Sequence, residues 1–221
     1  MRYIFALILF LFAEKTFAHV EHYKNFKLVE FDIYRNNELV GHHKVKVNIK
    51  DKSTKEVITD IAINIKLLGI NIYSYKSDGI EIYKNNELIE FKSKTKDGSH
   101  NDFCNIKQQS KGKYSFNGLT EDKKYIFDLD KSFYLGTWWN HDSLLNNNFI
   151  LGQSCRNTQT KITFLKKEKL KISDKEQVVQ FFNITGDNLN VNVGYTENDL
   201  RWVAMDFSLK GEWNYKLKAL D

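Results

Sequence analysis

The chain contains no proline, and it has only two cysteines and two methionines among its 221 residues. Without proline, and with no stretch rich in glycine or serine, it lacks the composition that usually separates domains. It also lacks, beyond its first residues, any apolar run approaching the roughly twenty residues of a membrane-spanning helix. These absences favour a single domain over residues 19–221, shown below to have the pattern of a β domain, and disfavour a membrane span.

The two cysteines lie too far apart for a small metal or redox motif. Cys104 and Cys155 are separated by 51 positions, which matches neither zinc-ligand nor Cys-x-x-Cys spacing. In an oxidising compartment we expect them to form one disulfide. The alternative is a pair of buried free thiols.

A block of basic residues is also absent. The formal net charge is +5, but the lysines alternate with acidic residues and asparagines, as on a solvated surface. We therefore expect no nucleic-acid partner, and the sequence indicates no cofactor.

The first residues have the order of an export signal. Arg2 precedes an apolar run over 4–13, and the small residues Thr16 and Ala18 suit a signal peptidase. We expect cleavage between Ala18 and His19, and a periplasmic or secreted protein. Since His19 is not cysteine, a bacterial lipid anchor has no attachment point there. The alternative is a buried N-terminal helix.

Alternation with period two dominates the rest of the chain. Apolar and polar residues alternate over 45–49, 61–67 and 189–195, so each segment has one apolar and one polar face, as in a half-buried strand. Antiparallel pairing explains this pattern best, because parallel strands are covered on both faces. About a dozen such segments predict an all-β fold with a strongly curved antiparallel sheet, closed or nearly closed into a barrel.

A weak internal repeat supports pairing of consecutive strands. Residues 34–40 (YRNNELV) recur as 83–89 (YKNNELI) and, more loosely, as 195–201. Asparagine tolerates the left-handed backbone of tight hairpin turns. We interpret the repeats as equivalent turns; the alternative is three equivalent ligand sites.

The densest group of unusual residues begins at Gly136 and runs through two tryptophans. Here the strand pattern stops, and we expect one short helix near 140–151, capped by Asn140 or Asp142 and ended by Gly152. We expect Trp139 to belong to the core, and Trp138 and His141 to lie nearer the mouth of any cavity. The candidate ligand-binding residues are Trp138, Trp139, Asn140 and His141.

Several short motifs in this chain resemble those of an exported bacterial family, domain of unknown function 6134. They are Trp139-Asn140 before a Leu-containing segment, Thr158-Gln159-Thr160 opening a strand, an early Tyr-Arg-x-x-x-Leu-Val-Gly hairpin and Leu67-Leu68-Gly69-Ile70. The resemblance covers approximately Phe31 to Leu217. The chain departs from the pattern in a longer stretch between the first two motifs and in Lys161, where glycine is usual. The resemblance implies export and a β-rich fold and transfers no catalytic residue.

Two kinds of chemistry remain to be weighed. His141, Asp142 and Cys155 or Ser154 include the side-chain types of a nucleophile, a base and an orienting acid, but adjacent residues on a strand face opposite ways. The segment around Ser154 also lacks the second glycine of a nucleophile elbow. The histidines at 19, 22, 42 and 43 suit copper or zinc as residue types, but their spacing defines no site, so we expect no metal.

The leading hypothesis is a non-catalytic envelope protein that binds a lipid-like or other apolar small molecule in its curved sheet. One alternative is a hydrolase-like enzyme centred on His141 and Cys155. A second is a surface module that pairs an exposed sheet edge with a partner; the sequence identifies no protein partner.

Overall fold

The computed structural model describes residues 26–121, 123–130 and 133–221. The proposed signal sequence and its cleavage site lie outside the described residues. No helix in the described part of the chain is long and apolar enough to cross a bilayer. The strands are β1 Leu28–Arg35, β2 Glu38–Ile49, β3 Thr54–Leu67, β4 Ile70–Lys84, β5 Glu87–Asp97, β6 His100–Ser110, β7 Lys113–Thr120, β8 Lys123–Asp130, β9 Tyr134–Gly136, β10 Asn148–Leu151, β11 Asn157–Gln159, β12 Lys161–Ile172, β13 Lys175–Gly186, β14 Leu189–Thr196, β15 Trp202–Ser208 and β16 Glu212–Leu220.

Thirteen of these strands form one antiparallel sheet, in the order β12-β13-β14-β15-β16-β1-β2-β3-β4-β5-β6-β7-β8. Neighbours in the sheet are consecutive in the chain except at the centre, where β16 pairs with β1. The sheet therefore consists of two meanders joined through the two ends of the described chain. The prediction of a large antiparallel sheet built from hairpins is confirmed.

The sheet is strongly curved. In the sheet order β15 and β5 are six steps apart, so they would be separated by roughly 29 Å in a flat sheet with strands about 4.8 Å apart. Phe91 of β5 and Met205 of β15 nevertheless line the same cavity. Curvature on this scale brings the two halves of one face together.

The sheet is not closed by hydrogen bonds. Its edge strands, β8 and β12, do not pair with each other in the described chain, so of the two predicted forms, a closed or a nearly closed barrel, the closed one is not found. Edge strand β12 carries five lysines in its twelve residues, and lysine on an edge opposes pairing with another chain. Electrostatic protection thus replaces closure at this edge.

Four hairpins turn through two residues with positive φ, the backbone of a type I′ turn. Three of these turns use polar residues that tolerate this conformation: Asn36-Asn37, Asn85-Asn86 and Ser173-Asp174. The fourth, between β3 and β4, uses Leu68 (φ 50°) and Gly69 (φ 82°). Two of the repeated YxNNEL segments are therefore equivalent turns.

Residues 133–160, here called the inner segment, form a second small sheet with the order β11-β10-β9. The short helix predicted near 140–151 is present only as a 3-10 helix over His141–Leu145. Asn140 caps it by accepting a hydrogen bond from the Asp142 amide at 2.9 Å. Phe149, predicted on this helix, instead lies buried in β10. Three consecutive asparagines, 146–148, favour ending the helix, and the apolar run after them pairs on both sides as a strand.

Three hydrophobic clusters stabilise this arrangement. The largest combines inward residues of β1–β4 and β13–β16 with Trp139. A second joins β5–β7 to the inner segment around the cysteines. A third, centred on Ile172, Val179 and Val203, links β12 and β13 to β15 and β16.

Candidate ligand-binding cavity

The inner segment is fixed to the concave face of the sheet by a disulfide and by hydrogen bonds. Cys104 of β6 is bonded to Cys155, with their Cα atoms 4.8 Å apart. Ser93 Oγ of β5 donates to the Gly152 carbonyl at 2.5 Å. In the other half of the sheet, Tyr195 Oη of β14 donates to the Trp138 carbonyl at 2.7 Å. The segment therefore bridges strands that are far apart in the sheet order.

The sheet makes room for this segment with a row of small residues. Across five paired strands, Thr59 faces Gly79, Gly79 faces Ser93, Ser93 faces Cys104 and Cys104 faces Gly118. The next inward-facing row on one side holds larger side chains, including Phe91, Ile106 and Phe116, whereas the row on the other side has small or polar residues such as Ser77 and Thr95. Small side chains in one row form a trough in the concave face.

We predict different responses to an added methyl group at the two glycines of this row. A Cβ atom at Gly118 would lie 2.5 Å from the Cys155 Cβ, whereas at Gly79 it would approach nothing closer than 3.5 Å, the Phe91 ring. Gly118→Ala should lower the free energy of unfolding by about 1–3 kcal/mol because the inner segment must shift. Gly79→Ala, the matched control, should leave it nearly unchanged. Urea denaturation of both variants measures the difference, and equal stabilities would contradict the close packing at Gly118.

A buried carboxyl group lies under Trp139. Glu81 of β4 is 1% exposed; its carboxylate accepts from Trp139 Nε1 at 2.8 Å and from Tyr83 Oη at 2.5 Å. Burial raises the pKa of Glu81, and these donors act against that shift. Burial and the neighbouring Glu81 also raise the pKa of Tyr83 well above its ordinary value. This network is a polar anchor for the inner segment.

Beside this anchor a cavity of about 320 Å³ lies between the sheet and the inner segment. Its volume is at the lower end of the range for small-molecule sites. Most of its wall is aromatic or aliphatic, and the walls come from β2–β5, from β14–β16 and from the inner segment. The aromatic lining residues are Tyr73, Tyr75, Phe91, Trp138, Phe207, Trp213 and Tyr215.

Several polar side chains in this wall are bonded to other protein groups. Ser77 Oγ and Thr95 Oγ1 lie 2.7 Å apart, Tyr73 Oη donates to Asp97 Oδ1 at 2.7 Å, and Trp213 Nε1 donates to the Leu209 carbonyl at 2.9 Å. No lysine or arginine is among the described residues that line the cavity. The wall therefore suits a largely apolar molecule and disfavours an anionic one, because a buried negative charge would have no cation to pair with.

His43 at the base of the cavity is an uncharged imidazole. It is 1% exposed and packs edge-on against Trp202 and Tyr215, with ring centroids 4.9 and 5.8 Å away. Burial, and then the charge of His42, lowers the pKa of His43 to about 3. Within the described chain neither ring nitrogen has a hydrogen-bond partner. His43 thus adds no positive charge to the cavity.

The predicted ligand-binding residues occupy different positions. Trp138 is partly exposed and lines the cavity. Trp139 is 2% exposed and belongs to the main core cluster. Asn140 caps the 3-10 helix, and the His141 ring packs against Tyr195 with centroids 5.1 Å apart. Of these four residues, Trp138 is the one that lines the cavity.

The residues of the alternative hydrolase do not form a free catalytic set. Cys155 is bonded to Cys104 and fully buried, so its sulfur is not available as a thiolate nucleophile. The paired histidines of β2 point to opposite faces: His42 Nε2 lies 3.1 Å from Asp60 Oδ2 on the outside, whereas His43 is buried. The two rings therefore do not face a common site.

Sequence reasoning missed most of the cavity wall. His43, Tyr73, Tyr75, Phe207 and Trp213 line it from strands remote in the chain. Their alternation, as in Tyr73 and Tyr75, indicated an inward face. It did not indicate which inward residues pack against one another and which are left facing a space.

Comparison with solved structures gives the class of fold first. The chain is similar to the crystal structure of a beta-barrel-like protein of domain of unknown function DUF1849 from Brucella abortus, with a TM-score of 0.62 and 10% sequence identity. The match covers 89% of this chain and 97% of that chain. At this identity the likeness concerns the fold alone.

The family is established by the sequence itself. Residues 31–218 match the family described as Domain of unknown function (DUF6134), and the chain belongs to that family. The resemblance drawn from the short motifs is therefore confirmed. Among curated proteins there is no match.

Proposed function

We propose that this protein is an exported, non-catalytic binder of an uncharged apolar or weakly amphipathic small molecule, held in the cavity between the sheet and the inner segment. The observation that carries the proposal is the 320 Å³ cavity, with its aromatic wall and no lysine or arginine among the described residues that line it. At about 30 Å³ for a group the size of a water molecule, this volume holds roughly ten such groups. A short acyl chain or a small ring system is of that size.

The export signal expected from the first residues supports a site of action in the envelope. The Cys104–Cys155 disulfide fits that location, because such bonds persist in oxidising compartments. A protein that works there can meet apolar molecules from membranes or from outside the cell.

Binding of a neutral fluorescent probe, N-phenyl-1-naphthylamine, tests the proposal. Gly79→Leu directs a large side chain into the cavity and should weaken probe binding at least about tenfold, since the space is then filled. Trp138→Ala should weaken binding by a smaller factor, because it removes one aromatic wall residue. His141→Ala, in the same segment but outside the wall, is the control and should bind like the unmodified protein.

The stability of each variant is measured by thermal melting, so that loss of binding is not confused with unfolding. A folded Gly79→Leu variant with undiminished probe binding would contradict a ligand in this cavity. Native mass spectrometry and lipid extraction of the protein, purified from its own envelope, then identify the natural ligand.

A further inference from the structure

The tip of the β3–β4 hairpin has an unusual combination of residues. Leu67, Leu68, Ile70 and Ile72, here called the apolar tip, are all strongly exposed, and Leu68 is 95% exposed. Their strands are the two longest of the main sheet, with 14 and 15 residues. The tip thus presents four large aliphatic side chains to solvent.

Folding does not require these side chains. Leu68 has the left-handed backbone that other hairpins of the sheet assign to Asn36, Asn85 and Ser173. This conformation costs leucine more free energy than it costs asparagine, and the Leu68 side chain is not buried in compensation. The tip is therefore better explained by contact with something outside the chain.

The apolar tip lies at the end of the sheet toward which the cavity opens. In a meander, the turns β1–β2, β3–β4, β5–β6, β13–β14 and β15–β16 share one end. Tyr73, Asp97, Leu189 and Leu209 line the cavity from strand ends and turns on that side. Leu209 is itself exposed at the β15–β16 turn.

The part of the hairpin that carries the tip has basic residues and no acidic one. Residues 61–77 include Lys66 and Lys76. Lys76 is ion-paired with Asp78 at 3.3 Å, and Asp97 lies on the adjacent β5, so Lys66 is the lysine that accompanies the tip. The protein as a whole has a net charge of +5. Apolar side chains flanked by lysine match the surface of an anionic bilayer, with the side chains among the acyl chains and the ammonium groups at the phosphates.

From these observations we infer that the apolar tip inserts into the surface of an anionic lipid bilayer and holds the cavity mouth toward the membrane. A second copy of this chain fits the tip less well. Four aliphatic side chains cover on the order of 400 Å², so two tips together bury less than the roughly 1,200 Å² of a stable interface. Membrane contact stands independently of the cavity, whereas passage of ligand between bilayer and cavity rests on the proposed function.

Vesicle flotation tests the inference with the purified protein and vesicles of phosphatidylglycerol and phosphatidylethanolamine. Leu68→Asn combined with Ile70→Thr should reduce the bound fraction at least about tenfold, since it removes inserted apolar surface. Leu68→Asn alone should not lower the melting temperature, because asparagine suits the turn. Ile126→Thr removes an equally exposed isoleucine from edge strand β8 and should leave vesicle binding unchanged. Vesicles of phosphatidylcholine should bind less protein because they lack the anionic charge.

The outcomes separate this inference from the proposed function. Unchanged flotation of the tip variant, or an equal loss in Ile126→Thr, overturns membrane insertion. Insertion is also overturned if the tip variant changes the oligomeric state in solution and leaves vesicle binding unchanged, because a second copy of the chain would then cover the tip. If the tip variant loses vesicle binding but the unmodified protein binds no probe, membrane insertion is supported and the cavity ligand is refuted. We expect the tip variant to retain probe binding in vesicle-free solution.

Discussion

Replacing Trp139 with alanine should lower the free energy of unfolding by about 3–5 kcal/mol, the usual cost of removing a buried tryptophan. The indole is 2% exposed, packs edge-on against Tyr83 with centroids 5.9 Å apart, and donates to Glu81. Its removal would leave a hole beneath the inner segment and take one donor from a buried carboxyl group. Urea denaturation measures the loss. Trp138→Ala is the comparison and should cost less, because Trp138 is partly exposed; equal losses would contradict the difference in burial.

Trp139→Phe isolates the hydrogen bond, because it keeps most of the apolar volume. Folding raises the pKa of this acid, so its ionisation costs more free energy in the native state than in the unfolded state. The unfolding free energy is therefore unaffected by this group below its unfolded pKa, ordinarily 4.5, and falls as the pH rises toward the folded pKa. Loss of the Trp139 N–H should raise the pKa of Glu81 further. The unfolding free energy of Trp139→Phe should therefore decrease more than that of the unmodified protein as the pH rises above 4.5. Parallel pH curves would contradict this role of the indole.

Replacing both cysteines with serine should lower stability by up to roughly 4 kcal/mol, the loop-closure estimate for a bridge across about fifty residues. The fold should survive, because the apolar strands contribute more burial than the bridge. Thermal melting measures the loss, and hydrogen exchange should increase most around Gly152–Arg156, where the bridge holds the inner segment. The control is unmodified protein melted with and without a reductant. An unchanged melting temperature in the serine variant would contradict a stabilising bridge.

The strands and their pairing could be predicted from the sequence because both depend on local patterns. The alternation in 61–67 identifies the inward residues of β3, and the asparagine pairs mark turns that few other residues adopt. Register then follows from the turn, so the pairing of long stretches of the sheet is encoded locally. Closure is not, because it depends on whether β8 meets β12, and no local pattern encodes that meeting.

The candidate site was only partly predictable for the same physical reason. The sequence pointed to the segment around Trp138 because its pattern departs from that of the strands. It could not reveal that Gly79 and Gly118 face one trough but only Gly118 is filled by the inner segment. Nor could it distinguish Phe149 in a short strand from Phe149 in a helix, because three consecutive apolar residues fit either.

The pairing of β1 with β16 determines when the main sheet can be completed during folding. Phe31 faces Leu217, so one of the first strands to be synthesised finds its partner among the last. Until then β1 has a free edge, and the two meanders cannot enclose the inner segment. Loop closure over such a span adds only modestly to the entropy of folding, but contacts so remote in sequence slow the rate. The main sheet should therefore become native only after β16 has been synthesised, so β1 waits for its partner while every strand between them is made.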